Sequence, residues 1–286
     1  MQHGPAVRRR KLGEELRSLR HASGLTSREA ARTLGWHQSK VSRIETGVSG
    51  VHPADVNRLL DTYGVDDARL RGLLAALAGS AGGGGTGWWH AYRGLLPPQY
   101  RDFISLESQA RTARTLETSV VPGLLQTADY ARAVTRASLD GLPAGQLDSL
   151  VEVRLARQGV LRTDPPLRLS AVLDEAVLRR QVGGCRVMRE QLRHLTRVAQ
   201  LPHVRLQLLP FAMGGYAGLT GPFVIFSFPN TSDLDVVVLD HLTSSLYLER
   251  KEDLEAYSSA FRTMQAHALS PEHSLDLIAA IDRGAQ

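Results

Sequence analysis

Residues 26–47, with the sequence TSREAARTLGWHQSKVSRIETG, have the pattern of two short helices joined by a tight turn. Thr26 offers a hydroxyl that can cap the first helix. Gly35 falls at the turn, where a left-handed backbone is needed and a side chain would clash. Val41 and Ile44, three residues apart, give the second helix an inward face. The stretch therefore predicts a helix-turn-helix motif.

The second helix of this motif presents polar side chains away from the first helix. Side chains of this kind hydrogen-bond to base edges and phosphates when a helix lies in a DNA groove. The small residue Ala31 lets the two helices cross closely. The alternative interpretation is a structural helical hairpin whose polar face is only solvated. The outward-facing residues are Gln38, Ser39, Lys40, Ser42 and Arg43.

Positive charge is concentrated around the motif. Residues 1–50 hold ten Lys and Arg and four acidic residues, a net charge of +6, whereas the whole chain carries +5. A localised positive field attracts a polyanion and releases its counterions on binding. The run Arg8-Arg9-Arg10-Lys11 could be only a solvated terminus. Because it lies beside the motif, we favour an arm that contacts phosphates.

Apolar periodicity predicts three further helices around the motif. Leu12, Leu16 and Leu19 recur at i, i+4 and i+7 in a first helix that ends near Gly24. Pro53 opens a fourth helix, for which it is a favourable first residue. The fourth helix turns Val56, Leu59, Leu60 and Tyr63 inward, and a fifth carries Leu70, Leu73, Leu74 and Leu77. Residues 1–78 are therefore predicted to form a compact five-helix, all-α domain.

Helix for helix, residues 8–78 resemble the phage-repressor-like (XRE-type) DNA-binding domains, in which the second helix of the motif enters the major groove. The resemblance implies a structural ion pair between Arg20 and Glu45. It also implies base contacts from Gln38, Ser39, Ser42 and Arg43, and phosphate contacts from Thr26, Ser27 and Lys40. The sequence departs from the family pattern at His37, where a Ser or Thr cap is usual, and at Thr46, which replaces an Asn.

A glycine-rich stretch, GSAGGGGTG at residues 79–87, follows the helical domain. It contains the spacing G-x-G-x-x-G, but no strand precedes it and no helix of a βαβ unit opens there. A flexible tether is therefore favoured over a dinucleotide-binding loop. The tryptophans that follow, Trp88 and Trp89, either anchor the edge of the next domain or stack on a ligand or base.

Residues 88–286 are predicted to form an α+β domain with a mostly antiparallel sheet flanked by helices. Strand patterns cover residues 167–173, 204–209, 223–228, 236–240 and 245–249, with a short extended piece at 119–121. Helices are predicted at residues 98–113, 127–138, 145–161, 174–182, 187–200, 251–268 and 271–282.

Three segments of this second domain, VPGLLQT at 121–127, DEAVLRR at 174–180 and GLTGPF at 218–223, resemble an uncharacterised C-terminal domain that is attached to XRE-type regulators in actinobacteria. The resemblance covers about residues 88–280. It implies an antitoxin-like transcriptional regulator, encoded beside a small partner protein.

The sequence contains none of the common catalytic motifs that we considered: no H-E-x-x-H, no G-x-S-x-G, no Walker loop and no paired cysteine motif. Adjacent strand residues such as Asp240 and His241 point to opposite faces. Glu175 and Arg179, at i and i+4, suit a surface ion pair or, alternatively, a ligand clamp. Tyr216 lies in a glycine-rich loop, GGYAG, that is expected to be mobile. The contacts considered for a ligand are Trp88, Trp89, Glu175, Arg179 and Tyr216.

The sequence thus predicts a repressor-like regulator that binds double-stranded DNA in the cytoplasm, at the nucleoid, as a homodimer. Its second domain senses a small-molecule effector or dimerises. Alternatives are an antitoxin-like domain that binds a small protein, and an enzyme acting on a small metabolite. No catalytic residue, cofactor, metal or membrane partner is expected. The lone cysteine, Cys185, excludes an intramolecular disulfide, and a buried thiol is expected.

Overall fold

The computed structural model describes residues 4–68, 70–72, 74–75, 78, 88–92, 94–139, 141–228, 235–241 and 244–284. The chain forms two compact units, Met1–Gln109 and Ala110–Gln286. The predicted tether, residues 79–87, lies outside the described residues. Residues 88–109, which the sequence assigns to the second domain, group with the first unit.

The first unit is helical. Its helices include α1 (Gly4–Ala22), α2 (Ser27–Leu34), α3 (Gln38–Glu45), α4 (Pro53–Thr62) and α5 (Pro98–Gln109), with a 3₁₀ turn at Trp88–Tyr92. The first four confirm the prediction, and α5 packs against α1. Of the predicted helix between α4 and the tether, residues 68, 70–72, 74–75 and 78 are helical, whereas Leu73 and Leu77 lie outside the described residues.

Apolar residues at helical spacing form the core of the first unit, as their periodicity predicts. On α1, Leu12 and Leu16 are buried, although Leu19 is only partly so. The inward faces of α2, α3 and α4 contribute Ala30, Ala31, Leu34, Val41, Ile44, Val56, Leu59 and Leu60. Burial of this whole set leaves the polar faces of α2 and α3 on the outside.

The second unit is built on one six-stranded sheet with the order β3-β2-β1-β4-β5-β6. The strands are β1 (Thr112–Glu117), β2 (Arg168–Asp174), β3 (Val204–Leu209), β4 (Phe223–Ser227), β5 (Val236–Asp240) and β6 (Ser245–Leu248). The β1–β2 and β2–β3 pairs are parallel, and the other three pairs are antiparallel. The predicted α+β class with a mostly antiparallel sheet is confirmed.

Six helices flank the sheet within the described residues of this unit: α6 (Ala128–Ser138), α7 (Ala144–Arg157), α8 (Glu175–Arg179), α9 (Gly184–Val198), α10 (Lys251–His267) and α11 (Pro271–Gly284). Their positions agree with the predicted helices, although α8 is shorter. One face of the sheet packs on α10, where Leu116 and Phe223 share a cluster with Phe261 and Met264.

Strand β1 corrects the prediction for this part of the chain. The helix predicted at 98–113 ends at Gln109, and the extended piece predicted at 119–121 belongs to no strand. The segment TARTLE has two threonines, which favour strands, but also alanine and glutamate, which do not, so its local strand signal is weak. Its central place in the sheet comes from pairing with β2 and β4, which is a long-range effect.

One further expectation for the second unit is wrong. Cys185, in the first turn of α9, is exposed and not buried. In the loop of residues 210–222, Tyr216 donates a hydrogen bond of 2.7 Å to Asp174. Gly218 is buried so tightly that a Cβ would overlap Leu116 and lie 2.7 Å from the sulfur of Met264.

Glutamine amides hold the segment of residues 121–127 that follows β1. Gln126 donates to Val121 O at 2.6 Å, and Gln158 donates to Gln126 O at 2.7 Å. Gln191 donates to Leu125 O and accepts from the backbone of Thr127, each at 2.7 Å. Four backbone groups of this segment are therefore satisfied by uncharged side chains.

Candidate nucleic-acid interface

Helix α2 begins with a capping box. Thr26 Oγ1 accepts a hydrogen bond from the Glu29 backbone at 3.2 Å, and Glu29 Oε2 accepts one from the Thr26 backbone at 2.8 Å. Hydrogen bonds from Thr26 lower the pKa of Glu29. Both groups satisfy amides that the start of a helix would leave unpaired, so the first residue of α2 is sharply defined.

The turn between α2 and α3 depends on Gly35. This residue has φ of 67°, in the left-handed region, and ends α2. The next amide, from Trp36, donates to Ala31 O at 2.8 Å. A residue with a Cβ would be strained at this φ, so glycine sets the angle at which the chain enters α3.

Helix α3 turns its apolar side inward and its polar side out. Val41 and Ile44 are buried, whereas four of the five predicted contact residues, Gln38, Ser39, Ser42 and Arg43, are exposed. The first turn is tied to α2, because Gln38 Nε2 donates to Ser27 Oγ at 3.1 Å. His37 precedes the helix without making a side-chain cap. The exposed polar face is the surface that the helix-turn-helix pattern predicts.

A buried ion pair supports α3 from behind, as the family resemblance implies. Arg20 donates to both carboxylate oxygens of Glu45, at 2.7 and 2.9 Å, and to Leu25 O at 2.8 Å. The two side chains are 7% and 6% exposed. The hydrogen bonds that Arg20 donates to Glu45 are the main cause that raises the pKa of Arg20, while burial, followed by the charge of Glu45, raises the pKa of Tyr63.

Helix α1 also approaches the end of α3 at backbone distance. A Cβ placed on Gly13 would lie 2.6 Å from the carbonyl oxygens of both Ile44 and Glu45. The sequence pattern does not predict this close crossing. It fixes the last turn of α3 against α1, next to the ion pair.

On its other flank, α3 is held by a group that we call the turn clamp: Trp36, Lys40, Asp55 and Arg58. Lys40 Nζ lies 2.8 Å from Asp55 Oδ2 and 3.7 Å from the centroid of the Trp36 ring. Arg58 donates to Leu34 O at 2.9 Å and lies over the same ring at 5.2 Å. Sequence reasoning missed Trp36, Asp55 and Arg58, because no motif joins them.

The predicted basic arm is helical. Residues 8–10 lie within α1, so they do not form an extended arm before the first helix. Arg9 is partly buried, and the side chains of Arg8 and Arg10 lie outside the described set. Burial raises the pKa of Asp102 to about 6, and the nearby charges of Arg9 and Arg101 oppose that shift.

The residues considered for a ligand are divided between the two units. Glu175 and Arg179 form the i,i+4 ion pair, and Glu175 is buried and also accepts a hydrogen bond of 2.8 Å from Phe211 N. These contacts and the Tyr216–Asp174 hydrogen bond hold the loop 210–222. Trp88 and Trp89 lie in the first unit, edge to face with ring centroids 5.8 Å apart.

A polar group that sequence reasoning missed lies at the ends of β1 and β5. These strands run in the same direction, so Glu117 and Asp240, their last residues, lie at the same edge of the sheet. Burial, followed by the charge of Asp240, raises the pKa of Glu117 to about 8. A hydrogen bond from Thr115 and the charges of Arg154 and Arg157 oppose that shift.

Among the residues that the structure describes, no helix has the length and apolar character that a membrane span requires. In the same part of the chain, no three His, Cys, Asp or Glu side chains come together as metal ligands would.

Comparison with known proteins also gives two parts, although the second match begins at residue 100, within α5 of the first unit. Residues 11–73 match a family described as a helix-turn-helix domain, which points to a DNA-binding regulator. Residues 100–280, more than half of the chain, match a second family. No curated protein and no solved structure matches. From the extent of the second match, the chain belongs to the family described as a domain of unknown function, DUF5753.

Proposed function

We propose that this chain is a sequence-specific, repressor-like transcriptional regulator of XRE type that places α3 in the major groove of DNA. The observation that carries the proposal is the exposed polar face of α3 on a motif braced from behind by Arg20 and Glu45. The net charge of +6 on residues 1–50 supports it, because phosphate neutralisation supplies most of the sequence-independent affinity.

The exposed side chains of α3 suit base reading in this proposal. Arg43 has the planar fork that recognises guanine, and Gln38 can pair with adenine. Ser39 and Ser42 are short and suit closer contacts. Thr26 and Ser27 lie at the start of α2, where backbone amides and the helix dipole favour a phosphate.

The test begins with selection of duplexes from a random pool by the full chain, followed by affinity measurements with Arg43→Ala. We expect a loss of about 1–3 kcal/mol on the selected site and a much smaller loss on random duplex. Arg17→Ala, an exposed change of equal charge on α1, is the control. Equal losses on both duplexes would make Arg43 a phosphate contact, and failure to enrich any sequence would refute specific recognition.

For the second unit, the proposed role is dimerisation and response to an effector, without a catalytic reaction. One helix-turn-helix reads few bases, so two copies on a palindrome are the usual remedy. Glu117, at the same edge of the sheet as Asp240, supports the effector role, because residues with a perturbed pKa cluster at functional sites.

Light scattering of the full chain, free and on the selected duplex, tests the pairing. We expect two copies on half-sites about one helical turn apart. A single copy on a single half-site would refute dimerisation. Native purification distinguishes the roles further: a bound metabolite supports an effector, whereas a stoichiometric small protein supports the antitoxin-like alternative.

A further inference from the structure

Lys40 differs from the other polar residues of α3. Its ammonium group lies 2.8 Å from the Asp55 carboxylate and 3.7 Å from the centre of the Trp36 ring. Its side chain is 40% exposed, and that of Asp55 is 26% exposed. The positive charge is thus already matched by an anion and an aromatic face within the protein, each of which a lysine favours.

Lys40 and its two partners lie in three different parts of the first unit. Trp36 lies in the turn, Lys40 in the first turn of α3, and Asp55 in the first turn of α4. Arg58, also on α4, contacts the last residue of α2, because it donates a hydrogen bond to Leu34 O at 2.9 Å. The turn clamp therefore connects α4 to the turn and to α3, on a flank that the Arg20–Glu45 pair does not reach.

We propose that Lys40 is a positioning residue that sets the orientation of α3 through Asp55 and Trp36, and that it is not a phosphate contact. The inference rests on the proposed function and assigns Lys40 a role opposite to the one that the family resemblance implies. Sequence selectivity then depends on the clamp, because the neighbouring base-reading side chains have fixed geometry only while α3 keeps its angle.

Two nearly isosteric changes with opposite effects on charge test the proposal. Lys40→Met removes one positive charge, and Asp55→Asn removes one negative charge. If Lys40 positions α3, both variants lower affinity for the selected duplex by about fivefold or more, since misalignment weakens at least one base contact. Both changes break the Lys40–Asp55 contact, and Asp55→Asn also removes an ion pair of 3.9 Å with Arg58, so Asp55→Asn is the weaker single variant. The double variant is then no weaker than Asp55→Asn alone.

A phosphate contact gives the opposite pattern. Lys40→Met would then weaken selected and random duplexes alike and reduce the slope of log affinity against log salt by about 0.9. Asp55→Asn would release the lysine and strengthen binding. Either of these results overturns the proposal. Arg17→Met and Asp66→Asn make the same charge changes at exposed positions away from the clamp, and they give the purely electrostatic effect to subtract.

Hydrogen exchange on the DNA-free full chain tests the turn clamp independently of the proposed function. We expect faster exchange of α3 amides in Lys40→Met and in Asp55→Asn, with unchanged exchange in the second unit. Should the wild-type chain select no DNA sequence, the proposed function fails, yet faster α3 exchange still supports the clamp. Unchanged α3 exchange in both variants overturns it.

Discussion

Replacement of Glu45 by methionine tests whether the buried ion pair supports α3. The change leaves Arg20 charged and 7% exposed, without its two carboxylate bonds. Loss of one partner of a buried pair costs about 3–5 kcal/mol, because the remaining charge is uncompensated. In a domain of this size, that loss lowers the melting temperature of the first unit by about 12 °C or more.

The double variant Arg20→Met/Glu45→Met distinguishes this cause from simple loss of packing. Removing both charges removes the uncompensated ion. The remaining defects are Leu25 O, which loses its hydrogen bond from Arg20, and the Tyr63 hydroxyl, which loses its 3.5 Å hydrogen bond to Glu45. We expect the double variant to lose only about 1–2 kcal/mol, less than either single variant.

Denaturant titration, followed by amide exchange of α3, measures the loss in free energy of unfolding for Glu45→Met and for the double variant. The α3 amides report on the first unit alone if the two units unfold separately. Glu15→Met, at an exposed position on α1, is the charge-matched control and is expected to change stability little. A loss below about 1 kcal/mol for Glu45→Met would refute the reasoning. So would a double variant whose loss equals the total of the two single losses.

Gly13→Ala should destabilise the first unit despite the better helix propensity of alanine, because its Cβ would meet two α3 carbonyl oxygens at 2.6 Å. Gly145→Ala is the control, because a Cβ at this position on α7 meets open space and should not destabilise the protein. Thermal melts compare the two variants. Gly218→Ala should destabilise the second unit in the same assay by overpacking the α10 face, and a melting temperature equal to that of the wild type would contradict the packing described. Glu117→Gln should be more stable than the wild type by a margin that widens from about pH 5 to about pH 8. A carboxyl group with a raised pKa contributes stability at low pH, and this stability is lost as the pH rises through that pKa. A stability difference independent of pH would show that Glu117 does not titrate in this way.

The helix-turn-helix was predictable because its determinants are local. The cap at Thr26, the left-handed turn at Gly35 and the inward pair Val41 and Ile44 all act within a few residues of chain. The Arg20–Glu45 pair spans 25 residues, and only the family resemblance indicated it. Local signals thus define the motif, whereas its braces are long-range.

The features that sequence reasoning missed depend on contacts between distant segments. Asp55 lies 15 residues from Lys40, and neither residue signals the other in the sequence. The close crossing at Gly13 depends on the path of another helix, and β1 depends on neighbouring strands that come later in the chain. Burial and pairing of this kind override weak local propensity, so only three-dimensional structure reveals them.

The glutamine hydrogen bonds that hold the segment after β1 are insensitive to one common variable. The supporting groups, Gln126, Gln158 and Gln191, carry no charge, so added salt does not screen their hydrogen bonds. Binding of DNA by the first unit, in contrast, is expected to weaken steeply as counterions are added. Ionic strength can therefore serve as an experimental control that detaches the protein from DNA while this part of the second unit keeps its shape.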